Sequence, residues 1–251
     1  MKKFLMFLSV MFALSARADT ETINWYKDGQ TYAQTTCTVG GDIILPATPT
    51  KRGYNFTGWE QVFTKLEYIQ GTGTQYIDTG FIPNQDTRVK LKVVMDVIDN
   101  DYNVICGSGQ SYNSRAFELG LWQGNLFSNY GNYSNSIRSV KANDILVIDK
   151  NKNVISYSIN YAEYEASQTY GTFTSPYQMR IFAETRPENV LRPATGAKMK
   201  LYYFQIYDDG VLVHDFIPAL DPDDTPCLYD KVEDKFYYNP GTDDFIAGPV
   251  I

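Results

Sequence analysis

The stretch LYYFQIYDDGVLVHDFI, residues 201–217, decides the fold class because it contains two strand patterns around a tight turn. Large apolar residues alternate with other residues in both halves, and Asp208-Asp209-Gly210 separates the halves. A period of two is typical of a strand with one buried face, and an Asp-Gly step between two such runs indicates a hairpin. The stretch therefore predicts an antiparallel pair of strands.

Similar strand patterns occur elsewhere along the chain. A second hairpin is predicted over residues 145–161, with its turn at Lys150 to Asn153, and no convincing helix is predicted beyond the N-terminus. The 20 Tyr and 14 Phe residues support this assignment, because aromatic side chains favour pleated, half-buried surfaces. Further strand candidates are Arg88–Val97, Val104–Cys106, Ala116–Leu121 and Met179–Ala183. The sequence thus predicts an all-β protein, most naturally arranged as two stacked antiparallel sheets.

The N-terminus has the pattern of a secretory signal peptide. Lys2-Lys3 precede the apolar run Phe4 to Leu14, and Ala16-Arg17-Ala18 places small residues where a signal peptidase reads them. The run is too short to span a bilayer. We expect residues 1–18 to be removed and the protein to be secreted, either extracellular or on the cell surface. A buried N-terminal helix is the alternative, but the run lacks polar periodicity.

The charge balance limits the class of partner. Removing Lys2, Lys3 and Arg17 lowers the basic count from 22 to 19, against 29 acidic residues, for a net charge of −10. Such a surface repels phosphate groups, so nucleic acid and anionic membranes are poor candidates. A glycan or an extracellular protein is the partner class that remains.

Residues 46–59, PATPTKRGYNFTGW, carry a more specific signal. Together with the strand candidate Thr22 to Lys27 and the turn Gly40-Gly41, they resemble the internalin B-type repeat of Listeria and Bacteroides surface proteins. The resemblance implies a small β-grasp-like module, residues 19–60, on an exported and often adhesive protein. The closing strands of the family are not apparent, since a new pattern begins at Leu66, which leaves open a truncated module.

The second domain, residues 61–251, opens with LEYIQGTGTQYIDTG at residues 66–80. Its end contains DFIPA at 215–219, LYDK at 228–231 and FYYN at 236–239. These segments resemble the laminin-G-like, concanavalin A-like jelly-roll domain of exported and phage-borne proteins of gut bacteria. The resemblance implies a jelly-roll β-sandwich but no particular ligand.

The three cysteines, Cys37, Cys106 and Cys227, cannot all pair within one chain. Their spacing fits no metal motif, and the single histidine makes a Cys/His zinc site improbable. Buried free thiols are expected, with a Cys106–Cys227 disulfide as the alternative.

Catalysis is not expected from the carboxylates or the histidine. Glycoside hydrolases need two carboxylates that face one cleft, and the nearest pair here is Glu163 and Glu165, in a polar stretch typical of a solvated edge. His214 and Asp215 are adjacent on a predicted strand and therefore point to opposite faces. A divergent glycoside hydrolase that acts through Glu163 or Glu165 stays as an alternative.

No cofactor is certain from the sequence, and calcium is the one for which it offers candidate ligands. Asp221, Asp223 and Asp224 crowd a Pro-stiffened loop, and Asp99-Asn100-Asp101 forms a second acidic cluster. Oxygen ligands suit calcium, and a cation would relieve the repulsion between these carboxylates. The alternative for each cluster is a charged turn.

The segment 112–133 is the predicted ligand surface, because aromatic rings and amides together suit a sugar. The residues that we expect to contact the ligand are Arg115, Trp122, Gln123, Asn125, Tyr130 and Tyr133. The alternative is a polar loop over core aromatics. The sequence as a whole predicts a non-catalytic surface or adhesion protein that binds carbohydrate or host matrix. A purely structural module of an envelope or phage-derived assembly remains open.

Overall fold

The structure, a computed structural model, describes residues 2–11, 20–28, 30–38, 42–61, 63–98, 102–111, 114–187, 190–193, 199–241 and 243–251. Strands and turns account for the regular structure of these residues, and no α-helix occurs among them. The all-β prediction is therefore confirmed. A search of the described residues for a helix long and apolar enough to cross a membrane finds none. The chain divides into two compact units: Met1–Thr64 with Asp221–Asp223, and Lys65–Leu220 with Asp224–Ile251.

The first unit contains a four-stranded sheet. Its strands are β1 (Lys2–Met11), β2 (Thr20–Lys27), β3 (Gln30–Thr38) and β4 (Tyr54–Gln61), in the order β3-β2-β1-β4. Strand β1 runs antiparallel to β2 and parallel to β4. Ile23 and Trp25 are buried, and the ring of Trp59 meets that of Trp25 edge-on at 4.5 Å between centroids. This aromatic contact forms the small core of the unit.

The predicted signal segment supplies β1. The predicted cleavage site after Ala18 lies in residues 12–19, outside the described residues. Removal of residues 1–18 stays a prediction, and it would take β1 out of this sheet.

The second unit contains two larger sheets. The first has the order β15-β14-β13-β8-β19-β20-β21-β22, extended by β5, β6 and β23. The second has the order β12-β11-β10-β9-β16-β7, with β17 paired to β9 and to β18. The strands of this unit are β5 (Thr64–Lys65), β6 (Ile69–Gly71), β7 (Ile77–Asp78), β8 (Thr87–Met95), β9 (Tyr102–Ser108), β10 (Ala116–Trp122), β11 (Asn125–Gly131), β12 (Tyr133–Ser139), β13 (Ile145–Asn151), β14 (Val154–Ile159), β15 (Ala162–Ser167), β16 (Arg180–Ile181), β17 (Ala183–Arg186), β18 (Val190–Pro193), β19 (Met199–Asp208), β20 (Val211–Leu220), β21 (Pro226–Asp230), β22 (Lys235–Tyr237) and β23 (Ile246–Ala247).

Both predicted hairpins are present. Strands β19 and β20 pair antiparallel, with Phe204 opposite Phe216, and Asp209 and Gly210 adopt the positive φ angles that the tight turn requires. Strands β13 and β14 form the second hairpin, with Leu146 opposite Ile159.

The two large sheets pack against one another around a single core. Leu91, Ile148 and Phe204 of the first sheet belong to the same buried cluster as Phe117 and Leu119 of the second. Because every strand alternates its side chains, the core positions on β10 fix which of its residues face outward. That outer face holds the candidate site.

None of the three cysteines, all of them among the described residues, forms a disulfide. Cys106 and Cys227 are buried, and the Cys106–Cys227 disulfide is not formed. Burial raises the pKa of the Cys106 thiol to about 12, so this side chain stays protonated and behaves as a small apolar residue.

Candidate functional site

The predicted ligand residues fall at two distant ends of one hairpin. Strands β10 and β11 pair from Ala116 opposite Gly131 to Trp122 opposite Asn125. At about 3.4 Å per residue, the two ends lie roughly 20 Å apart. Trp122, Gln123 and Asn125 lie at the turn, whereas Arg115 and Tyr133 lie at the opposite end. The structure therefore does not bring the six predicted residues into one site.

Tyr130 is a correction to the predicted set. Its side chain is fully buried on the inner face of β11, and its hydroxyl donates a hydrogen bond to the carbonyl oxygen of Gln85 at 2.8 Å. Its ring meets Phe173 edge-on at 5.0 Å. The alternation along β11 directs this tyrosine into the core, so it offers no surface to a ligand.

Arg115 and Tyr133 are exposed but stand apart from the turn. Arg115 donates from Nη2 to Oε1 of Gln110 at 2.7 Å. Tyr133 is 43% exposed at the start of β12. These two residues do not adjoin Trp122, and Tyr133 therefore provides a matched exposed aromatic for comparison.

The turn of the hairpin presents an aromatic platform, which we define as Trp122, Tyr102 and the Phe127 ring on which Tyr102 stacks. Trp122 ends β10 on the outer face and is 54% exposed. Tyr102 lies opposite Trp122 in the β9–β10 register and stacks on Phe127, with 4.9 Å between ring centroids and 17° between ring planes. Gln123 and Asn125 flank the platform at the turn and at the start of β11.

Two glycines make the floor of this face. A Cβ atom at Gly120 would lie 2.7 Å from the ring of Phe127 and 2.6 Å from the carbonyl oxygen of Asn103. A Cβ atom at Gly107 would lie 2.7 Å from Cγ of Glu118. Only glycine at these two positions lets the ring of Phe127 and the side chain of Glu118 lie close to the sheet.

A charged cluster, consisting of Glu118, Asn129, Glu184 and Arg186, lies beside the platform and holds the hydroxyl of Tyr102. That hydroxyl donates to Oε1 of Glu118 and accepts from Nη2 of Arg186 at 3.3 Å. The second oxygen of Glu118 accepts from Arg186 at 2.9 Å and from Nδ2 of Asn129 at 2.5 Å. Nε of Arg186 also contacts the carboxyl group of Glu184. The hydroxyl of Tyr102 is thus held by charge-assisted contacts.

The electrostatics of the cluster keep Tyr102 neutral. Burial and the nearby Glu118 raise the pKa of Tyr102 well above its ordinary value. Burial and the neighbouring Glu118 also raise the pKa of Glu184, so this carboxyl group is protonated near neutral pH. Burial opposes the charge on Arg186, but Glu118 and Glu184 outweigh it and raise the pKa.

The residues of the charged cluster are buried, so they hold Tyr102 and have little surface for contact with a ligand. Asn129 Oδ1, Glu184 Oε1 and Arg186 Nη1 have almost no exposed area and no hydrogen-bond partner among the described residues. Sequence reasoning missed the cluster because β10 and β17 are distant in the chain. The only local signal is a charged residue at an outer strand position, Glu118, and the spacing of Glu184 and Arg186 on one face of a strand.

Glu163 and Glu165 line one surface pocket together with Asp149, so a glycoside hydrolase that acts through either of them stays a prediction. Glu118 and Glu184 are both buried and share Arg186 as a partner, whereas catalytic carboxyl groups must face a cleft that admits water and a sugar. Glu163 and Glu165 are exposed on the outer face of β15, opposite Ser158 and Ser156.

His214 pairs with a residue that the sequence did not indicate. Its Nδ1 lies 2.6 Å from Oδ2 of Asp230, and its ring stacks on Phe216 at 5.1 Å. The other oxygen of Asp230 accepts the backbone N–H groups of Asp215 and Val232. Asp230 thus has protein partners for both oxygens and holds the end of β21 against β20.

The carboxylate oxygens of Asp221, Asp223 and Asp224 do not form a compact group of potential metal ligands. Asp221 is buried and accepts the backbone N–H of Asp223 at 2.9 Å, whereas Asp223 and Asp224 are exposed. Among the described residues, the one group whose ligand atoms lie within 4.8 Å of one another is His214, Asp230 and Glu233. A calcium site at Asp221, Asp223 and Asp224 stays a prediction, with a charged turn as the alternative. The second acidic cluster, at 99–101, lies outside the described residues.

Comparison with known proteins bears on the first unit. Residues 22–80 match the Listeria-Bacteroides repeat domain. This repeat is typical of surface or extracellular bacterial proteins. The match supports the repeat module but does not end at residue 60, because it continues to Gly80 and includes residues that belong to the second unit. None of the curated proteins matches the chain significantly.

Proposed function

We propose that the protein is a secreted, non-catalytic surface protein that binds carbohydrate, free or on host matrix, through the aromatic platform. The observation that carries the proposal is the 54% exposed indole of Trp122, fixed beside Tyr102 on the outer face of the second sheet. The exposed indole is a flat apolar surface on which a ligand can stack, and its N–H can take part in a hydrogen bond.

The chemistry of the platform suits a sugar ring. The apolar face of a pyranose stacks on an aromatic side chain, and amide groups exchange hydrogen bonds with its hydroxyls. Gln123 and Asn125 supply such amides at the turn. The charged cluster holds Tyr102 in place before any ligand arrives, which reduces the entropy lost on binding.

The proposal extends to the folds of the two units. The two-sheet sandwich around one core supports a concanavalin A-like jelly roll, and the repeat match supports a small β-grasp-like module on an exported adhesive protein. Both assignments also draw on the sequence resemblances.

A paired substitution tests the site. We expect Trp122→Ala to weaken binding to the glycan selected on an array by at least about tenfold, equivalent to ~1.4 kcal/mol, with an unchanged melting temperature. Tyr133→Ala removes a similarly exposed aromatic from the other end of the hairpin and should leave binding intact. Affinity is measured by calorimetry and stability by thermal melting.

Two outcomes would contradict the proposal. Equal loss of affinity in both variants would show that the turn is not the site. A fall in stability of roughly 3–5 kcal/mol in Trp122→Ala would show that this side chain is part of the core.

A further inference from the structure

Strand β3 is an open edge of the first unit. It ends the sheet order β3-β2-β1-β4 and pairs with β2, while its other side has no partner strand among the described residues. Its sequence, QTYAQTTCT, is nine residues long and contains neither a charged residue nor a proline. A row of unpaired backbone N–H and C=O groups on such a strand is a template for another strand.

The other sheet edges are protected by charge. Strand β15 carries Glu163 and Glu165, and β22 carries Lys235. Strand β12 carries Arg138, whose guanidinium lies 3.9 Å from the ring centroid of Tyr164. Charged side chains on an edge oppose strand addition, and β3 has none. The register of β3 with β2 shifts at Tyr32, so the regular part of this edge is residues 33–38.

We propose that β3 pairs antiparallel with β3 of a second copy of this chain and so joins two first units into one continuous sheet. A two-fold axis relates identical strands, and full overlap of Gln30–Thr38 places that axis at its midpoint, Gln34. Each Gln34 then lies opposite its equivalent in the other copy.

The strand is complementary to itself in this register. On the regular part of the strand, Ala33 lies opposite Thr35 of the other copy, and Thr36 faces the bulged Tyr32. Aromatic and β-branched residues form favourable cross-strand pairs, and no pair in this register opposes like charges. Ala33 and Cys37 pack against the Ile23 and Trp25 core of their own sheet, so the inner face stays apolar across the join.

The predicted loss of the signal segment does not affect this edge. Strand β1 pairs with β2 and β4 and not with β3. Removal of residues 1–18 leaves the β2–β3 pairing and its open side in place. That removal would also uncover the edge of β2 that β1 covers, so among the described strands β3 is the one uncovered edge of the β2–β3 pair only in the full chain.

Engineered cysteines test the register. In the paired strands, Gln34 residues have Cα atoms about 4.5–5.5 Å apart, within the range of a disulfide. We expect Gln34→Cys to form a disulfide-linked dimer under mild oxidation, read on a non-reducing gel. Thr36→Cys is the matched control on the same exposed face. In the dimer, the Cα atoms of the two substituted residues would be offset by four residues along the strand, which is roughly 13 Å. The two thiols should therefore remain unlinked.

Sedimentation tests the association itself. We expect the unmodified chain to show a concentration-dependent monomer–dimer equilibrium, and Gln34→Lys to raise the dimer dissociation constant by about fivefold through like charges at the axis. Ser167→Lys, on the edge strand β15, should leave the equilibrium unchanged. A monomer at every concentration overturns the proposal. A disulfide through native Cys37, or equal crosslinking of both cysteine variants, overturns the register.

Discussion

At the residue scale, the informative side chains are buried polar groups whose partners come from distant strands. The alternation on β10 predicts that Glu118 faces away from Phe117 and Leu119. It cannot predict that Glu184 and Arg186 arrive on the same face, because that depends on how β17 pairs with β9. A sequence shows the side of a strand on which a charge lies, whereas its partner depends on sheet order.

Glu184 provides a pH-dependent test of the charged cluster. Its pKa is raised in the folded protein, so between the ordinary glutamate pKa and the raised value the unfolded chain releases a proton that the folded chain retains. The free energy of unfolding should therefore fall as pH rises through this window, by at most about 1.4 kcal/mol per pH unit. Glu184→Gln should remove this slope in urea titrations. The exposed Glu165→Gln should not, and an identical slope in wild type and Glu184→Gln would contradict the buried acid.

At the element scale, the alternation of side chains predicts which residues of a strand face the core, but it does not predict where the strand ends. The run Asp149 to Asn153 is polar and predicts a turn from Lys150 onward, yet β13 continues to Asn151. Lys150 points inward and is buried. Its Nζ donates to Oγ of Ser128 at 2.5 Å and to the carbonyl oxygen of Asn129 at 2.8 Å, which links β13 of one sheet to β11 of the other. A long aliphatic stem allows this placement, and polarity alone does not reveal it.

Lys150 should give the opposite pH dependence to Glu184. Burial lowers its pKa to about 7, so above that pH the unfolded chain binds a proton that the folded chain does not. The free energy of unfolding should rise between about pH 7 and the ordinary lysine pKa near 10.4. Lys150→Met keeps the apolar stem and should abolish this rise in urea titrations. Lys152→Met, on a partly exposed lysine paired with Asp86, is the control and should keep the rise.

At the scale of the whole molecule, the all-β class and both hairpins could be predicted because period-two patterns and Asp-Gly turns act locally. The boundary between the units was harder to locate. The repeat match runs to Gly80, but Ile69 of β6 and Ile77 of β7 are buried in the core of the second unit. Their strands pair with β19 and β16 of that unit. Residues 65–80 thus match the repeat in sequence, but their strands belong to the second unit.

This sharing predicts an asymmetry between fragments. A chain of residues 65–251 keeps every strand that pairs with β6 and β7, so we expect circular dichroism of a β protein and a cooperative thermal melt. A chain of residues 19–64 lacks the last part of the matched repeat and has only a small aromatic core, so it should melt without cooperativity. Extending that chain to residue 80 tests which unit needs the shared segment. If the extension restores a cooperative melt while residues 65–251 remain unfolded, residues 65–80 belong to the repeat and the division at Thr64 is wrong.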